Sequence, residues 1–505
     1  MNRQQRLVIV VAILASAVAF LDGVVVNVAL PVIQHELGGG LAAQQWIVDG
    51  YLLTLSAFML VAGSLSDVFG RLKIFRYGLI GFGISSLFCA FAPNAAILIL
   101  ARLLQGIAGA LLVPSSLALI DDRVPERSFS KAIGQWTAWT GMAFLVGPLL
   151  GGFFVDQLSW RYIFAINVIP IFLTLWLMRQ LRADAAHKVD ESRIDLIGAL
   201  LCTLALGGIV FAFIEVARLG WRSPLIWSAL VIGSGSLVGF IRREQKCPYP
   251  MLPPELFKYR NFTAGNLATF AIYGALGAIT FIVVLFLQQV TGYSATASGL
   301  SLVPITLIMF LGSPWAGSLS QRFGPRFFMA GGPMVIAAGL VWLAMTAAPQ
   351  IHYVKDILPG VILFGIGLTL TVTPLTATVL GGVAHNKAGV ASAVNNAISR
   401  IAGLIAVAGI GIVLASQFNA SLVAKQAEAP TATAKQALQA SEDQVLQVTP
   451  DTKVTEADSQ FVTNALTDAS ISSYRTSVLI TAVIVALGGV ISLIGIHNPQ
   501  RPIKP

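Results

Sequence analysis

The chain has 505 residues, of which 56% are hydrophobic and only 11% are charged, and its formal net charge is +9. A soluble globular protein has roughly 25% charged and about 45–50% apolar residues. A chain of this size with so few charges could not keep a soluble surface hydrated. The composition therefore excludes an ordinary soluble enzyme, a disordered protein and a secreted disulfide scaffold, and it indicates a protein that crosses a membrane several times.

Apolar runs of about 20 residues, the length of a helix that spans a bilayer, recur along the whole chain. Backbone polar groups cannot face lipid unpaired, so helices are the predicted structure, and the continuous runs differ from the alternating pattern of a membrane β-barrel. The sequence predicts fourteen spans. They lie at approximately 7–30, 46–67, 74–92, 95–119, 132–155, 160–180, 194–217, 224–242, 262–289, 297–320, 327–347, 354–379, 388–416 and 474–496. The first run continues to about Pro31, so we expect a span and not a signal peptide.

The distribution of Lys and Arg predicts the orientation of these helices. With the N-terminus in the cytoplasm, the inside segments hold 22 of the 32 basic residues and the outside segments hold 8, while Arg102 and Arg400 lie within spans. Cytoplasmic loops of membrane proteins carry the excess of Lys and Arg, so both termini are expected inside. The net positive charge is therefore attributed to membrane topology, and no nucleic-acid partner is expected.

An internal repeat divides the chain into two similar parts. Residues 63–73 read GSLSDVFGRLK and residues 317–327 read GSLSQRFGPRF, and six positions match in register. Both segments follow an even-numbered predicted helix and enter an inside loop. Repeats of this kind are typical of transporters built from two similar helix bundles.

The position of the repeat predicts the domain organisation. A first bundle of six helices covers residues 1–185, two extra helices cover 186–245, and a second bundle of six helices covers 246–505. The second bundle is expected to contain an outside loop at about 417–473. Its composition indicates either a mobile connection or a short amphipathic helix near 434–447.

Four motifs follow one another in the first five predicted helices. They are LDGVVVNVALP at 21–31, GSLSDVFGRLK at 63–73, LILARLLQGIAGA at 98–110 and AFLVGPLLGG at 143–152. These motifs are similar to the patterns lDxTxVNVALP, GxLaDrxGrk, lxxxRxxqGxgaA and gxxxGPxxGG, with Val24, Val68 and Ala143 as departures. In this order they resemble the major facilitator superfamily, and in particular its fourteen-span drug:proton antiporters.

The resemblance implies an all-α polytopic membrane protein with the major facilitator fold in a bacterial plasma (inner) membrane. Such a protein exports lipophilic or cationic small molecules in exchange for protons by alternating access of its two bundles. Its partners are the small-molecule substrate, protons and the lipid bilayer, and a monomer is expected. The proton gradient is then the energy source, and no cofactor is expected. The five histidines and three cysteines are scattered, so no metal site is expected either.

Other functions stay open at this point. Within transport, the alternatives are an exporter of an endogenous metabolite, a lipid or a siderophore, and a proton symporter that imports its substrate. Outside transport, the alternatives are a membrane enzyme that acts on lipids and a non-transporting sensor. The enzyme would need convergent catalytic side chains at the membrane interface, which the scattered histidines do not supply.

Asp22 is the acidic residue that stands out in an apolar run. It lies eight residues, or about 12 Å at 1.5 Å per residue, from the predicted outer end of the first helix. A carboxylate at this depth is expensive in a membrane and is a functional candidate. Arg102 lies at a similar depth in the fourth helix, so an interaction between the two is feasible, and the resemblance implies a proton-coupling role for both positions. A static buried ion pair is the alternative.

The repeated loop is predicted to act as a conformational latch. Asp67 ends the second helix, and Arg71 follows four residues later, where it can pair with Asp121 or Asp122 at the inside end of the fourth helix. Such a pair would hold one access state and break in the other. A topology signal combined with a tight glycine turn is the alternative.

A glycine- and proline-rich segment marks the fifth predicted helix. Proline removes a backbone hydrogen bond, and glycine allows helices to approach closely or bend. The resemblance implies a gating helix, while plain helix packing is the alternative. The residues concerned are Gly147, Pro148, Gly151 and Gly152.

Polar and aromatic residues in the predicted helices are candidates for lining a substrate cavity. Amide side chains are costly in lipid and should face protein or water, and aromatic faces can hold lipophilic cations. The candidates are Asn27, Trp136, Trp139, Asn167, Asn266, Gln288, Gln289, Asn395, Asn396 and Glu215. For Glu215, near the outer end of the seventh helix, a solvated acid at a helix end is the alternative.

Overall fold

The structure, a computed structural model, describes residues 3–181, 195–248, 250–381, 383, 388–442, 444–449 and 456–498. Within these ranges every regular element is a helix. The first part of the chain contains α1 (Arg3–Leu37), α2 (Gly40–Phe69), α3 (Arg71–Ala90), α4 (Ala95–Ala110), α5 (Leu112–Arg123), α6 (Glu126–Gly141), α7 (Ala143–Gln157), α8 (Tyr162–Ala165), α9 (Val168–Met178), α10 (Leu196–Leu219) and α11 (Pro224–Lys246).

The second part of the chain continues in the same way. It contains α12 (Arg260–Gln289), α13 (Ala295–Ser301), α14 (Val303–Phe323), α15 (Pro325–Met345), α16 (Leu358–Gly381), α17 (Ala388–Ala427), α18 (Ala432–Ala440) and α19 (Glu456–Gly495). A 3₁₀ turn at Pro254–Lys258 precedes α12, and a π-helical turn at Tyr353–Ile357 leads into α16.

Two compact units divide these helices. The first unit comprises Met1–Leu252 together with Ser294–Leu300, and the second comprises Pro253–Tyr293 together with Ser301–Pro505. The boundary at Leu252 lies close to residue 245, where the sequence predicts the end of the extra helix pair. That pair, α10 and α11, belongs to the first unit.

Twelve helices of the described residues are long and apolar enough to cross a membrane. The segment Tyr162–Met178 is apolar but shorter, and α2 is a further helix of 30 residues. Large apolar side chains are exposed on these helices, including Phe172 and Val231 in the first unit and Leu311 and Met345 in the second. Soluble proteins rarely leave such surface exposed, so the fold is that of a polytopic membrane protein. The count of fourteen spans stays a prediction.

The predicted loop at 417–473 is largely helical in the structure. Helix α17 continues to Ala427, α18 follows, and α19 already begins at Glu456. Apolar side chains explain the difference, because Phe418, Leu438 and Leu466 are buried within this region. The polar composition that indicated a solvated connection thus belongs to the exposed faces of packed helices.

In the first unit, α4 lies very close to α2, and this contact positions the buried side chains of both. A Cβ atom added to Gly106 would lie 2.3 Å from the carbonyl oxygen of Tyr51 and 2.1 Å from the Thr54 hydroxyl oxygen. The Thr54 hydroxyl also donates to the carbonyl of Leu103 at 2.8 Å. Only glycine fits at this crossing, and it brings the preceding turn of α4, which carries Arg102, against α2.

Replacing Gly106 by Ala is expected to lower the free energy of unfolding by about 1–3 kcal/mol, because the methyl group must displace backbone atoms of α2. The unfolding temperature in detergent measures the change. Gly134→Ala is the matched control: Gly134 is an exposed residue of α6 with open space around the added methyl group. We expect this control to be neutral or slightly stabilising. Equal effects of the two substitutions would contradict the packing argument.

In the second unit, α12 packs against α16, α17 and α19. A Cβ atom added to Gly277 would lie 2.9 Å from the Cα atom of Gly403, so α12 and α17 also cross at a glycine contact. Tyr474 of α19 stacks on Phe286 of α12 with their ring centroids 4.0 Å apart. The core of this unit is therefore built around α12, most of whose side chains are buried.

Asp195 caps α10 and joins it to α11. Its carboxylate accepts a hydrogen bond from the Gly198 amide at 2.8 Å and another from Nε of Arg243 at 2.7 Å. Burial alone raises the pKa of Asp195, but these hydrogen bonds and the Arg243 charge outweigh it and leave the pKa below its ordinary value. The extra pair is thus fastened at the end where α10 begins and α11 ends.

Asp195→Ala is expected to lower the free energy of unfolding by about 0.5–2 kcal/mol at neutral pH through loss of the cap. Because the native pKa of Asp195 is lowered, its stabilisation is complete above the unfolded-state pKa of about 3.9 and is lost as the pH falls through the native value. The difference in unfolding temperature between wild type and variant should therefore shrink in acid. A difference that grows in acid would contradict this account.

Candidate functional site

Three polar side chains converge on the carboxylate of Asp22 inside the first unit. Arg102 of α4 donates through Nη1 to Oδ2 of Asp22. Nε2 of Gln105 donates to Oδ1 at 2.8 Å, and Nδ2 of Asn167 donates to the same oxygen at 3.0 Å. All four residues are at most 1% exposed. A charged pair that is this deeply buried needs such additional hydrogen bonds to persist.

The guanidinium of Arg102 connects α1, α2 and α4. Its Nε donates to the carbonyl of Ile47 at 2.9 Å, and Nη1 also donates to Oε1 of Gln105 at 2.6 Å. The guanidinium lies 4.3 Å from the ring centroid of Tyr51, which is a cation–π contact. Arg102 therefore keeps partners on α2 that do not depend on the charge of Asp22.

Gln105 is the centre of a polar network that the sequence did not reveal. Its Nε2 also donates to Ser86 of α3 at 2.9 Å, and its Oε1 accepts from the Cys89 thiol at 3.6 Å. Gln105 lies three residues after Arg102, on the same face of α4, and that spacing is a signal that could have identified it. No comparable pattern marks Ser86 or Tyr51.

The predicted latch residues lie apart from this network. Nη1 of Arg71 donates to the carbonyl of Ala118 at 2.6 Å and lies 3.8 Å from Oδ1 of Asp122. Asp122 also pairs with Arg123, and Asp121 is exposed. The side chain of Asp67 lies outside the described part of the structure. Exposed ion pairs contribute about 0–1 kcal/mol, so the hydrogen bond to α5 is the firmer of the two Arg71 contacts.

The glycines of α7 lie at close helix contacts. A Cβ atom added to Gly147 would lie 3.3 Å from Val24 of α1, and one added to Gly151 would lie 2.6 Å from Val25. A Cβ atom added to Gly152 would lie 2.4 Å from the Cα atom of Thr296. Pro148 lies inside the helix, where it removes one backbone hydrogen bond. This segment thus lets α7 approach both α1 and residues 294–300.

Asp156, which the sequence did not single out, holds the same residues 294–300. Its carboxylate accepts hydrogen bonds from the amides of Ala295 at 3.0 Å and Thr296 at 2.8 Å. These amides are the first donors of α13 and have no partner within that helix. The carboxylate therefore caps α13 from the end of α7.

In the first unit, the candidates for a substrate cavity have different surroundings. Asn27 donates to the carbonyl of Gly23, and Trp136 donates to Ser16 of α1, while Trp139 is 61% exposed. Asn167 belongs to the buried network around Asp22. Glu215, for which a solvated position was the alternative, is buried. It accepts hydrogen bonds from the Trp46 indole and from Arg218.

In the second unit, two of the candidates form one polar cluster. Nδ2 of Asn395 donates to Oδ1 of Asn266 at 2.9 Å and to the Thr269 hydroxyl at 2.8 Å. Asn396 is exposed and donates to the carbonyl of Ser392 in its own helix. The remaining two, at the end of α12, are partly buried, and they are Gln288 and Gln289. Over the described residues, no group of three His, Cys, Asp or Glu side chains could hold a metal ion.

Comparisons with known proteins give a consistent result. The family model of the Major Facilitator Superfamily matches residues 12–407. The puromycin resistance protein Pur8 of Streptomyces alboniger is 34% identical over 433 residues, which cover 84% of either chain. The multidrug resistance protein Stp of Mycobacterium tuberculosis is 33% identical over 431 residues, which cover 84% of this chain and 78% of Stp.

A solved structure with a similar fold is that of a bacterial homologue of the human lysosomal transporter Spinster, in an inward-facing and unoccupied conformation. The TM-score is 0.66 at 16% sequence identity, and the alignment covers 99% of this chain and 100% of that one. At this identity the likeness concerns the fold.

Proposed function

Because the chain belongs to the major facilitator superfamily, we propose that it exports lipophilic or cationic small molecules in exchange for protons. It is a multi-pass transporter of the bacterial inner membrane, not an enzyme, and its relatives are drug-resistance transporters of the same superfamily. The puromycin resistance in the name of Pur8 and the multidrug resistance in the name of Stp support an exporter of the multidrug type. The observation that carries proton coupling is the buried Asp22–Arg102 pair in a membrane-embedded unit.

Fourteen spans with both termini in the cytoplasm are part of this proposal. The twelve apolar helices become fourteen when α2 and the shorter segment Tyr162–Met178 are added. An even number places both ends on the same side, and the excess of Lys and Arg in the predicted inside segments supports the cytoplasmic side. We propose that one chain is sufficient for transport, because the polar network around Asp22 is complete within one unit.

Proton exchange at Asp22 would change the bonds between α1 and α4. A proton on Asp22 removes the charge that pairs with Arg102, and the guanidinium keeps the Ile47 carbonyl and the Tyr51 ring. The two helices are then no longer joined by opposite charges, so protonation and helix arrangement are coupled. A substrate that binds more tightly to the deprotonated form would drive release of the proton, and the pH gradient would in turn drive the substrate.

The latch and the gating helix supply the conformational change in this proposal. Arg71 with Asp67, Asp121 and Asp122 would stabilise one access state, and the close glycine contacts of α7 would allow that helix to shift against α1. The polar and aromatic residues predicted to line a substrate cavity remain candidates for substrate contacts. The cluster of Asn266 and Asn395 supports a polar substrate contact within the second unit.

Transport in vesicles tests the function directly. Purified protein is reconstituted, a pH gradient with an acidic interior is imposed, and uptake of radiolabelled puromycin is measured in the population that presents its cytoplasmic side outward. We expect uptake that a protonophore abolishes and that reverses with the gradient. Uptake favoured by an alkaline interior would instead indicate a symporter. An uptake rate that does not depend on the pH gradient would contradict proton coupling.

A further inference from the structure

A second carboxylate of the first unit, that of Asp49, is buried without a hydrogen-bond partner. The residue lies in α2 and is 0% exposed, and neither carboxylate oxygen has a donor among the described residues. A charged carboxylate in this position would lose its hydration and gain nothing in return. The neutral, protonated carboxyl is the form that such surroundings accept.

The neighbours of Asp49 along α2 show that it lies at the contact with α10. Trp46 and Leu53 are one turn before and one turn after it, on the same face of the helix. The Trp46 indole donates to Glu215 of α10 at 3.0 Å. Leu53 lies next to Gly207 of α10, where an added Cβ atom would be 3.9 Å from its Cδ2 atom. Asp49 therefore lies on the face of α2 that packs against α10, the first helix of the extra pair.

Asp49 is separate from the network around Asp22, although both belong to the same unit. Arg102 contacts α2 at the carbonyl of Ile47 and at the ring of Tyr51. These positions are two residues before and two residues after Asp49, which is about 200° around the helix. Helix α2 therefore lies between the arginine and the second carboxylate.

The ionisable groups of the helices packed against α2 are engaged elsewhere. Asp22 pairs with Arg102, Glu215 pairs with Arg218, and the Cys89 thiol donates to Gln105. The charged groups of α5 lie at its exposed end, and the remaining charged groups of α1 and α3 are exposed except for Arg71, which donates to the carbonyl of Ala118. In full, the ionisable groups are Arg3, Arg6, Asp22, His35 and Glu36 of α1, Arg71, Lys73, Arg76, Tyr77 and Cys89 of α3, Arg102 of α4, Asp121, Asp122 and Arg123 of α5, and Cys202, Glu215 and Arg218 of α10. Among the described residues, none of these groups therefore supplies a hydrogen bond or a counter-charge to the carboxyl group of Asp49.

We propose that Asp49 is a second proton-binding site of the transporter, closed off by α10 in this structure. This inference rests on the proton-coupled export proposed above and deepens it, because it gives each cycle two exchangeable protons. Asp22 exchanges its proton against the Arg102 charge, whereas Asp49 releases its proton to water when the contact of α2 with α10 opens and the carboxylate becomes hydrated. The extra helix pair then has a function: it controls access to Asp49.

The number of protons per substrate tests the proposal. At a pH gradient of one unit and zero membrane potential, two protons per puromycin support an accumulation ratio of about 100-fold and one proton supports about 10-fold. We expect the wild type to give the higher ratio and Asp49→Asn the lower one, with Asp49→Glu restoring it. Asp468→Asn is the matched control, since Asp468 is an exposed carboxylate of α19, and it should keep the wild-type ratio.

An unchanged ratio in a folded Asp49→Asn variant would overturn the second site while leaving proton-coupled export intact. A variant that loses binding of tetraphenylphosphonium but keeps the wild-type ratio would make Asp49 a contact for cationic substrates, and this also overturns the proposal. If substrate accumulation by the wild type does not depend on the pH gradient, the proposed function is contradicted.

Infrared spectroscopy then still tests the proton on Asp49. The carbonyl band of a protonated carboxyl group should be present in the wild type at neutral pH and reduced in Asp49→Asn. A wild-type spectrum without that band would overturn the second site.

Discussion

Asp22→Asn is expected to reduce puromycin uptake driven by a pH gradient by about 5- to 150-fold. This range of factors corresponds to a typical coupling free energy between two sites of about 1–3 kcal/mol. Asparagine has the size of aspartate, and its side-chain oxygen can still accept from Gln105 or Asn167, but it cannot exchange a proton in this range of pH. Exchange of labelled for unlabelled substrate without a pH gradient should persist, because that reaction does not require net proton movement.

The same variant leaves the Arg102 charge without its carboxylate, so loss of transport has to be separated from loss of folding. The double variant Asp22→Asn/Arg102→Gln removes both charges and should show a similar reduction in gradient-driven uptake while it still exchanges substrate. Asp468→Asn controls for removal of an exposed carboxylate. Full gradient-driven uptake in a folded Asp22→Asn protein would contradict the coupling role of Asp22 and favour a static ion pair.

The depth of Asp22 could be predicted because one charge in a long apolar run is conspicuous. Arg102 followed from the same reasoning, and the structure places the two side chains in contact. The convergence of Gln105, Asn167 and Ser86 around Asp22 could not be predicted by the same reasoning. Uncharged polar residues are frequent in these helices, and their convergence depends on how α3, α4 and α9 pack, which a single sequence does not specify.

Asp49 shows a different limit of sequence reasoning. The predicted second run begins at residue 46, so Asp49 resembles an acid at a helix end. The structure begins α2 at Gly40, after a turn in which Gly38, Gly39 and Gly40 adopt positive φ. Asp49 is consequently nine residues inside the helix and fully buried. Apolar runs mark the hydrophobic part of a helix, whereas glycine turns and caps determine where the helix begins.

Helix breaks were likewise hidden in continuous apolar runs. The predicted span 160–180 is divided into α8 and α9 around Asn167, and the predicted span 95–119 is divided into α4 and α5 at Leu111. The first of these breaks places Asn167 against Asp22. Hydropathy averages over such positions, because the interrupted backbone is buried in protein and not exposed to lipid.

Arg102→Gln is expected to have the largest effect on stability, a loss of about 3–5 kcal/mol in the free energy of unfolding, because it leaves the buried Asp22 carboxylate without its counter-charge. Unfolding temperatures of the wild type and the variant in detergent measure the loss.

Two comparisons separate charge pairing from packing. Lys425→Gln removes a cation whose ion pair with Glu428 is open to solvent on both sides, and it should change the free energy of unfolding by about 0–1 kcal/mol. The double variant Asp22→Asn/Arg102→Gln should lose less free energy of unfolding than the two single variants lose together, by about 0.5–3 kcal/mol. Each single substitution leaves one buried charge without its partner, whereas the double substitution removes both charges. Additive losses would mean that Arg102 stabilises α4 through Ile47 and Tyr51 alone, and that a proton on Asp22 could not alter how α1 and α4 are held together.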